Sequence, residues 1–484
     1  MGRSALPSER EQQLPVPLLS ARVEQMINDS AYGGSKPSTA RTHALNLQRA
    51  LLRHCLPDWC NCSAHSFDPH AAAMASNVPA SARRLVDSSS APIAVLSSEV
   101  VHEQLNKRND TRKLLIRLAD GFTIESVVME HAYRRVTVCV SSQVGCKMGC
   151  RFCATSKLGE LANLTGGEIA EQVLHASMRS GLNVTNVVFM GQGEPLNNAR
   201  AVRESVRLLI NHKLFSLSPK RVTISTVGVA PGVEAMADDD DLMRVSLALS
   251  LHAPTQELRQ KIVPSAGKNR LERLIPACER LLDRKGAGAR LMIEYCAIHG
   301  INDSDDCARM LGSILPAYNV VFNVIPLNPS ESLDPSLKAP TEERLQSIVR
   351  ILANEKGRFC TIRHEMGQDA DAACGQLNLK VSPEQQGQGE SIVDMEDTFN
   401  KQFEHLPKKA RPTVKRWKGH DELKAEESKQ GGKVTCYKEE RKDKNDLLKS
   451  SPSVDAMLER ISHVGIGVAF VGLLASLCMS HFTL

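Results

Sequence analysis

The stretch Val144-Gly-Cys-Lys-Met-Gly-Cys-Arg-Phe-Cys-Ala-Thr155 carries three cysteines, Cys146, Cys150 and Cys153, at spacings of four and three residues. Three thiolates so placed can wrap one [4Fe-4S] cubane, which needs four iron ligands, so one iron is left open. Zinc is the structural alternative, but a closed zinc site takes four protein ligands and no fourth Cys or His follows at ribbon spacing.

Outward from this loop, from about residue 110 to 380, short Val/Ile-rich runs alternate with helical patterns. The expected strands are 134–140, 186–190, 221–226, 244–251, 290–297 and 320–326, and helical stretches lie at 167–178, 201–210, 271–282 and 341–352. Six strand–loop–helix units in succession predict an α/β fold of parallel strands covered by helices, with 360–364 extending the edge. Thr165-Gly-Gly-Glu168 matches a capping box, so a helix starts just after the cysteine loop. That puts the loop at the carboxyl end of a strand, where parallel barrels and sheets hold their active sites.

A cluster with an open iron at the mouth of a parallel α/β barrel resembles the radical S-adenosylmethionine (SAM) superfamily. The resemblance implies a partial (β/α)6 parallel barrel, a [4Fe-4S] cluster on Cys146, Cys150 and Cys153, and SAM as the second cofactor. It also gives meaning to Gly191-Gln-Gly-Glu-Pro-Leu-Asn-Asn198, which is similar to the superfamily's Gly-Glu-Pro element. There Gly193 lets the backbone approach the methionyl ammonium and Glu194 neutralises it. Ser225, Ser250-Leu251-His252 and Asn328 follow at the ends of later strands, where SAM's carboxylate, ribose and adenine would lie.

Three further stretches, Cys139-Val-Ser-Ser-Gln-Val-Gly-Cys146, Ser250-Leu-His-Ala-Pro254 and Asp369-Ala-Asp-Ala-Ala-Cys-Gly-Gln-Leu377, closely resemble the RNA adenine-C2 methyltransferases of the RlmN/Cfr-like family, over about residues 121–377. The resemblance implies formation of 2-methyladenosine in large-subunit rRNA, tRNA or both, with two SAM molecules used per turnover. Adenine C2 is electron-poor and cannot attack a methyl sulfonium, so polar methyl transfer fails. In the implied route, Cys374 is methylated by the first SAM. The second SAM, cleaved at the cluster, gives the radical that takes hydrogen from the S-methyl group, and the methylene so formed joins protein to RNA. Glu125 is then the proton acceptor, and Cys139 is the resolving thiol that leaves a disulfide for a reductant to reopen. Alternation along the first strand places Cys139 with Thr137 and Ser141, opposite Val136, Val138 and Val140. Arg363 is a further candidate for phosphate or cofactor contact, while Cys278, Cys296, Cys307 and Cys360 read as inert buried thiols. Two other readings stand beside this one: methylation at adenine C8, which uses the same two cysteines, and a non-catalytic iron–sulfur RNA-binding protein.

Composition bounds the rest. With 484 residues and 42% apolar content the chain is long enough for a sizeable core, and 14 cysteines are too dilute for a secreted disulfide scaffold. Residues 401–450 hold 15 Lys/Arg against 9 Asp/Glu, so the excess of positive charge sits in this stretch and suits an acidic partner such as RNA. Four regions are expected: an N-terminal part without clear period over 1–95, a catalytic core over 96–382, a charged flexible extension over 383–460 and an apolar end over 461–484. The 17 uncharged residues 464–480 are at the short limit for a membrane span. The expected location is cytoplasmic, with a C-terminal tail anchor and membrane contact, or organelle import, as open variants. The compact helical domain that usually precedes the core in this family is not recognisable in 1–95.

Overall fold

The computed structural model describes residues 16–55 except 21 and 33, residues 84–85, and residues 93–377 except 317, 329–332, 364–365 and 371. The N-terminal part opens with β1 (Val16–Pro17), followed by α1 (Arg22–Tyr32) and α2 (Pro37–Cys55); β1 pairs with β2 (Ile93–Ala94). No helix was expected here, and the correction has a physical cause. Val23 and Ile27 on α1, and Ala40, Ala44, Leu47 and Leu51 on α2, recur at helical spacing and are buried, but Ser, Thr, Asn and His between them dilute the pattern.

Next come three antiparallel strands, β3 (Ser98–Leu105), β4 (Thr111–Leu118) and β5 (Thr123–His131), which the sequence reading did not name. β6 (Arg135–Cys139) pairs antiparallel with β5 and parallel with a later strand, so it joins the two halves of the sheet. The hairpin β7 (Gln143–Cys146) and β8 (Gly159–Asn163) carries the cysteine loop between its strands. α3 (Gly166–Ser180) follows, started by the expected capping box: Thr165 Oγ1 accepts from Glu168 N at 3.2 Å, and Glu168 Oε2 accepts from Thr165 N at 2.8 Å.

The remaining elements alternate. They are β9 (Asn186–Phe189), α4 (Ala199–Ile210), β10 (Val222–Thr226), α5 (Ala230–Asp238), β11 (Ser246–Ser250), α6 (Gln256–Ile262), α7 (Leu271–Lys285), β12 (Leu291–Ala297), α8 (Asp305–Gly312), β13 (Val320–Pro326), α9 (Glu342–Arg350) and β14 (Phe359–Ile362). One ten-stranded sheet results, in the order β14-β13-β12-β11-β10-β9-β6-β5-β4-β3, parallel from β14 to β6 and antiparallel beyond. Each of the six expected parallel strands, and the edge strand, is present within two residues of its expected bounds.

Burial explains why the strands read so clearly. Val138, Val187, Ile224, Leu249, Ile293 and Phe322, one from each of the six parallel strands inside the edge strand β14, are all fully buried in the main core, covered by α3, α4, α5 and α7. α3 serves two cores at once. Ile169 and Val173 face the sheet, whereas Ala170 and Leu174 pack with Leu18, Leu47 and Leu51 of the N-terminal part. Among the described residues no helix is long and apolar enough to cross a membrane. The 383–460 extension, the 464–480 segment behind the tail-anchor expectation, and the basic stretch 401–450 lie outside the described residues.

Candidate active site

At the carboxyl ends of the parallel strands lies a pocket lined by Cys146, Cys150, Cys153, Gly193, Glu194, Ser225, Ser250, His252, Asn328 and Cys374. Residues far apart in sequence are thus brought to one opening by the sheet. Leu251 is not among them: it is fully buried in the main core, so the expectation that it touches cofactor is corrected. In a Ser-Leu-His run leaving a strand, alternate side chains point to opposite sides.

The cysteine loop is anchored from two directions. Ser156 Oγ donates to the carbonyls of Cys150 and Cys153 at 2.9 and 2.7 Å, and Arg151 N donates to Ile262 O at 3.0 Å. Cys146 and Cys150 are buried and Cys153 is half-buried, beside Met148 and Phe152. Burial raises all three thiols above their ordinary range, and each of Cys146 and Cys150 also feels Cys153, so a cation at this point would pull the protons off. Among the described residues no three His, Cys, Asp or Glu side chains converge where one metal ion could sit. Three thiols can each take one iron of a cubane, whereas a closed zinc site asks for a fourth protein ligand, so the donor set fits a cluster better than zinc.

Gly193 has φ of 100°, and a Cβ there would meet Gln143 at 2.6 Å, so only glycine lets this turn lie against the hairpin. Next to it, Glu194 is buried, with Oε1 accepting from Leu196 N at 3.0 Å and Oε2 from Val227 N at 2.8 Å. Burial outweighs these bonds and pushes its carboxyl up to about 7, which an arriving ammonium would reverse. Ser225 and Ser250 face each other from β10 and β11, with Oγ atoms 3.2 Å apart. His252 has a left-handed φ of 60°, accepts from Cys296 N at 3.0 Å through Nδ1, and meets the Phe152 ring edge-on at 4.5 Å. Burial lowers its pKa to about 3, so it is a neutral wall of the pocket.

Cys374 is exposed on a turn docked directly on the cysteine loop. Asn328 Nδ2 donates to Cys374 O at 2.9 Å, Ala154 N donates to Gly375 O at 2.8 Å, and Thr155 Oγ1 donates to Leu377 O at 2.7 Å. Asn328, expected at the adenine or ribose, lines the pocket and also holds the Cys374 turn. Its Oδ1 accepts from Gln368 Nε2 at 3.0 Å. Cys139, half-buried, packs with Val127, Met129, Ala370 and Leu377, under the same turn. Its thiol is pushed up to about 12, first by burial and then by Cys374, with Arg363 pulling the other way. The two thiols are thus near enough to feel each other's charge, although Cys139 does not line the pocket.

Glu125 also lies behind the pocket wall. Buried on β5, it sits 3.4 Å from Lys113 Nζ, and its Oε2 accepts from Gln192 Nε2 at 3.3 Å. Lys113 and Gln192 were not singled out from sequence. Gln192 stands inside the Gly-x-Gly-Glu-Pro run and Lys113 is next-but-one on the adjacent strand, a signal visible only once the register Lys113↔Val127 is known. Arg363 lines the pocket 3.9 Å from the buried Glu294, which Asn323 also holds at 2.9 Å. Of the thiols read as inert, Cys278 and Cys307 are buried in the fold, while Cys296 reaches the pocket and Cys360 is half-buried.

The Radical SAM superfamily profile matches residues 140–311, the span from the end of β6 to α8. The ribosomal RNA large subunit methyltransferase N of Nitrosopumilus maritimus is 38% identical over 294 residues, covering 59% of this chain and 82% of that protein. The chain belongs to the RlmN family of radical SAM methyltransferases. A probable dual-specificity RNA methyltransferase RlmN from Desulforudis audaxviator is 42% identical over 282 residues, covering 58% of this chain and 86% of its own length. The crystal structure of a radical SAM methyltransferase from Sphaerobacter thermophilus, 33% identical, superposes with a TM-score of 0.64 over 75% of this chain and 99% of its own. Members of this family use a [4Fe-4S] cluster and SAM, in keeping with the three thiols, Gly193 and Glu194.

Proposed function

We propose that this chain methylates C2 of adenosine in RNA, with Cys374 as methyl carrier and Cys139 as resolving thiol. One observation carries the reading: Cys374 opens into the same pocket as Cys146, Cys150 and Cys153, with Cys139 beneath its turn. The large-subunit rRNA and dual-specificity RNA methyltransferases among its relatives support rRNA, tRNA or both as substrate.

Cys146, Cys150 and Cys153 would hold a [4Fe-4S] cluster, which together with SAM would supply the hydrogen-abstracting radical. Glu194, Ser225 and Ser250 line the place for SAM's polar groups, and neutral His252 closes the wall. Cys374, exposed, can take a methyl group from one SAM and present it to the substrate base. Glu125, fixed by Lys113 and Gln192, accepts the ring proton. Once the radical adduct has also given up one electron to a one-electron acceptor, Cys139 as thiolate attacks the Cys374 sulfur; the carbon–sulfur bond breaks with its electron pair on the product carbon, which takes up a proton to become the methyl group, and the two cysteines are left as a disulfide that an external dithiol reduces. Burial keeps Cys139 protonated at rest, which slows disulfide formation before the base is bound.

Nucleoside analysis of rRNA and tRNA, incubated with the reconstituted protein, SAM and dithionite, tests the reading. 2-Methyladenosine is expected. 8-Methyladenosine in its place would assign the C8 chemistry, and the absence of both methylated adenosine and 5′-deoxyadenosine would assign a non-catalytic role.

A further inference from the structure

Buried charges in folded proteins are paired, and Arg259 is not. It lies on α6 with no solvent exposure, the largest fully buried side chain described. Nη1 donates to Asn269 O at 2.7 Å, Nη2 donates to Val227 O, and Nε has no partner. Both acceptors are neutral carbonyls, and among the described residues no carboxylate meets this guanidinium. Other sheltered arginines do have one: Arg273 bonds Glu234 and Arg203 bonds Asp239.

The surroundings indicate where the missing negative charge belongs. Leu258, Ile262 and Val263, flanking Arg259, pack in one apolar cluster with Cys146, Met148 and Cys150. The carbonyl of Ile262 takes the Arg151 N–H from within the cysteine loop. The Val227 peptide is shared: its carbonyl accepts from Arg259 while its N–H donates to Glu194, and Val227 lines the pocket beside Cys150. Burial lowers the guanidinium to about 10, still charged at neutral pH, and Cys150 is the first group that props it up.

We propose that Arg259 is the built-in counter-charge of the iron–sulfur cluster, offsetting the net negative charge of cubane plus three thiolates and raising its reduction potential. The inference rests on the reading of Cys146, Cys150 and Cys153 as cluster ligands. One electron from an external one-electron donor makes the cluster more negative by one charge, and a fixed cation stabilises that state more than the oxidised one. Arg259 touches no reacting atom. It is a positioning residue that acts through the field at Cys150 and the shared Val227 peptide.

The test is a mediated redox titration, followed by electron paramagnetic resonance, of reconstituted full-length wild type, Arg259→Lys and Arg259→Met, with iron and sulfide measured in each. The expected result is a reduced-to-oxidised ratio at fixed potential about tenfold lower in Arg259→Met, about 59 mV for a one-electron couple. Arg259→Lys, which keeps the charge and loses the fork, stays close to wild type. An unchanged potential in Arg259→Met, or an equal shift in Arg259→Lys, overturns the proposal and leaves Arg259 a clamp for two carbonyls. If Arg259→Met does not fold or holds too little cluster to titrate, Arg259→Gln, which keeps side-chain donors and loses the charge, is titrated in its place: a lowered potential supports the counter-charge, and a wild-type potential overturns it. Wild type that binds no iron and sulfide would instead defeat the ligand assignment itself.

Discussion

Cys139 sits near the middle of the sheet, on a strand bonded to β5 on one side and β9 on the other, whereas Cys374 sits on an exposed turn held by a few polar contacts. The contrast fits the two roles proposed for them. A thiol that must meet a methyl donor and then a base in RNA needs access. A thiol that needs only to strike its partner's sulfur is better fixed and shielded, since ladder hydrogen bonds hold its position and burial keeps it protonated.

Breaking the exposed side should have the largest effect. Cys374→Ala is expected to reduce RNA methylation to background while the visible cluster spectrum is retained; residual product at a tenth of wild type would remove Cys374 as carrier. Breaking the buried side should stop the cycle later. Cys139→Ala is expected to make a covalent protein–RNA adduct that persists on a denaturing gel, and normal turnover in this variant would end its role. In wild type, decay of the same adduct should quicken as pH rises through the mildly alkaline range, because a thiol held up to about 12 gains thiolate with each pH unit. A flat profile would mean that resolution is not limited by deprotonation of Cys139.

Two smaller changes sharpen the comparison by loosening the turn without touching either thiol. Gly375 has φ of 85°, and a Cβ would lie 2.9 Å from Phe152 O in the cysteine loop. Gly375→Ala should cost about 1–3 kcal/mol of docking, roughly fivefold to 150-fold in methylation, with iron content unchanged. Asn328→Ala, losing one bond to the Cys374 carbonyl, should cost about 1 kcal/mol, roughly fivefold. A loss of cluster in either variant would show that the turn supports the cysteine loop rather than the reverse.

The parallel half of the sheet was legible because β10 to β13 are buried along most of their length and β6 and β9 alternate buried Val or Phe with half-buried or exposed residues, so each carries a strand signal of its own. The antiparallel half was not. β3 mixes buried and exposed positions and carries a register shift between Val100 and His102, so neither alternation nor an apolar run survives in its sequence. In the site, motif residues with short side chains on strand ends, such as Ser225 and Ser250, were found where expected. Leu251 was placed in the right loop, but its side chain turns into the core, because a loop's sequence does not say which side chain turns inward. The helices of 22–55 escaped notice because their apolar face is narrow and gains its burial from α3, more than a hundred residues away.

The linear order of residues settled the chemistry available: three thiols at spacings suited to a cubane, a Gly-Glu-Pro turn one strand later, two more cysteines in recognisable flanks, and six parallel strands. These are local facts, because ligand spacing, turn conformation and burial periodicity are each encoded within a few neighbouring residues. Distances across the sheet are of another kind. That Gln192 and Lys113 grip Glu125, that Asn328 steadies Cys374, and that a lone guanidinium lies buried behind Cys150 depends on register and helix packing between segments far apart in the chain. Such pairings are fixed by the whole core at once, and no stretch of sequence carries them alone.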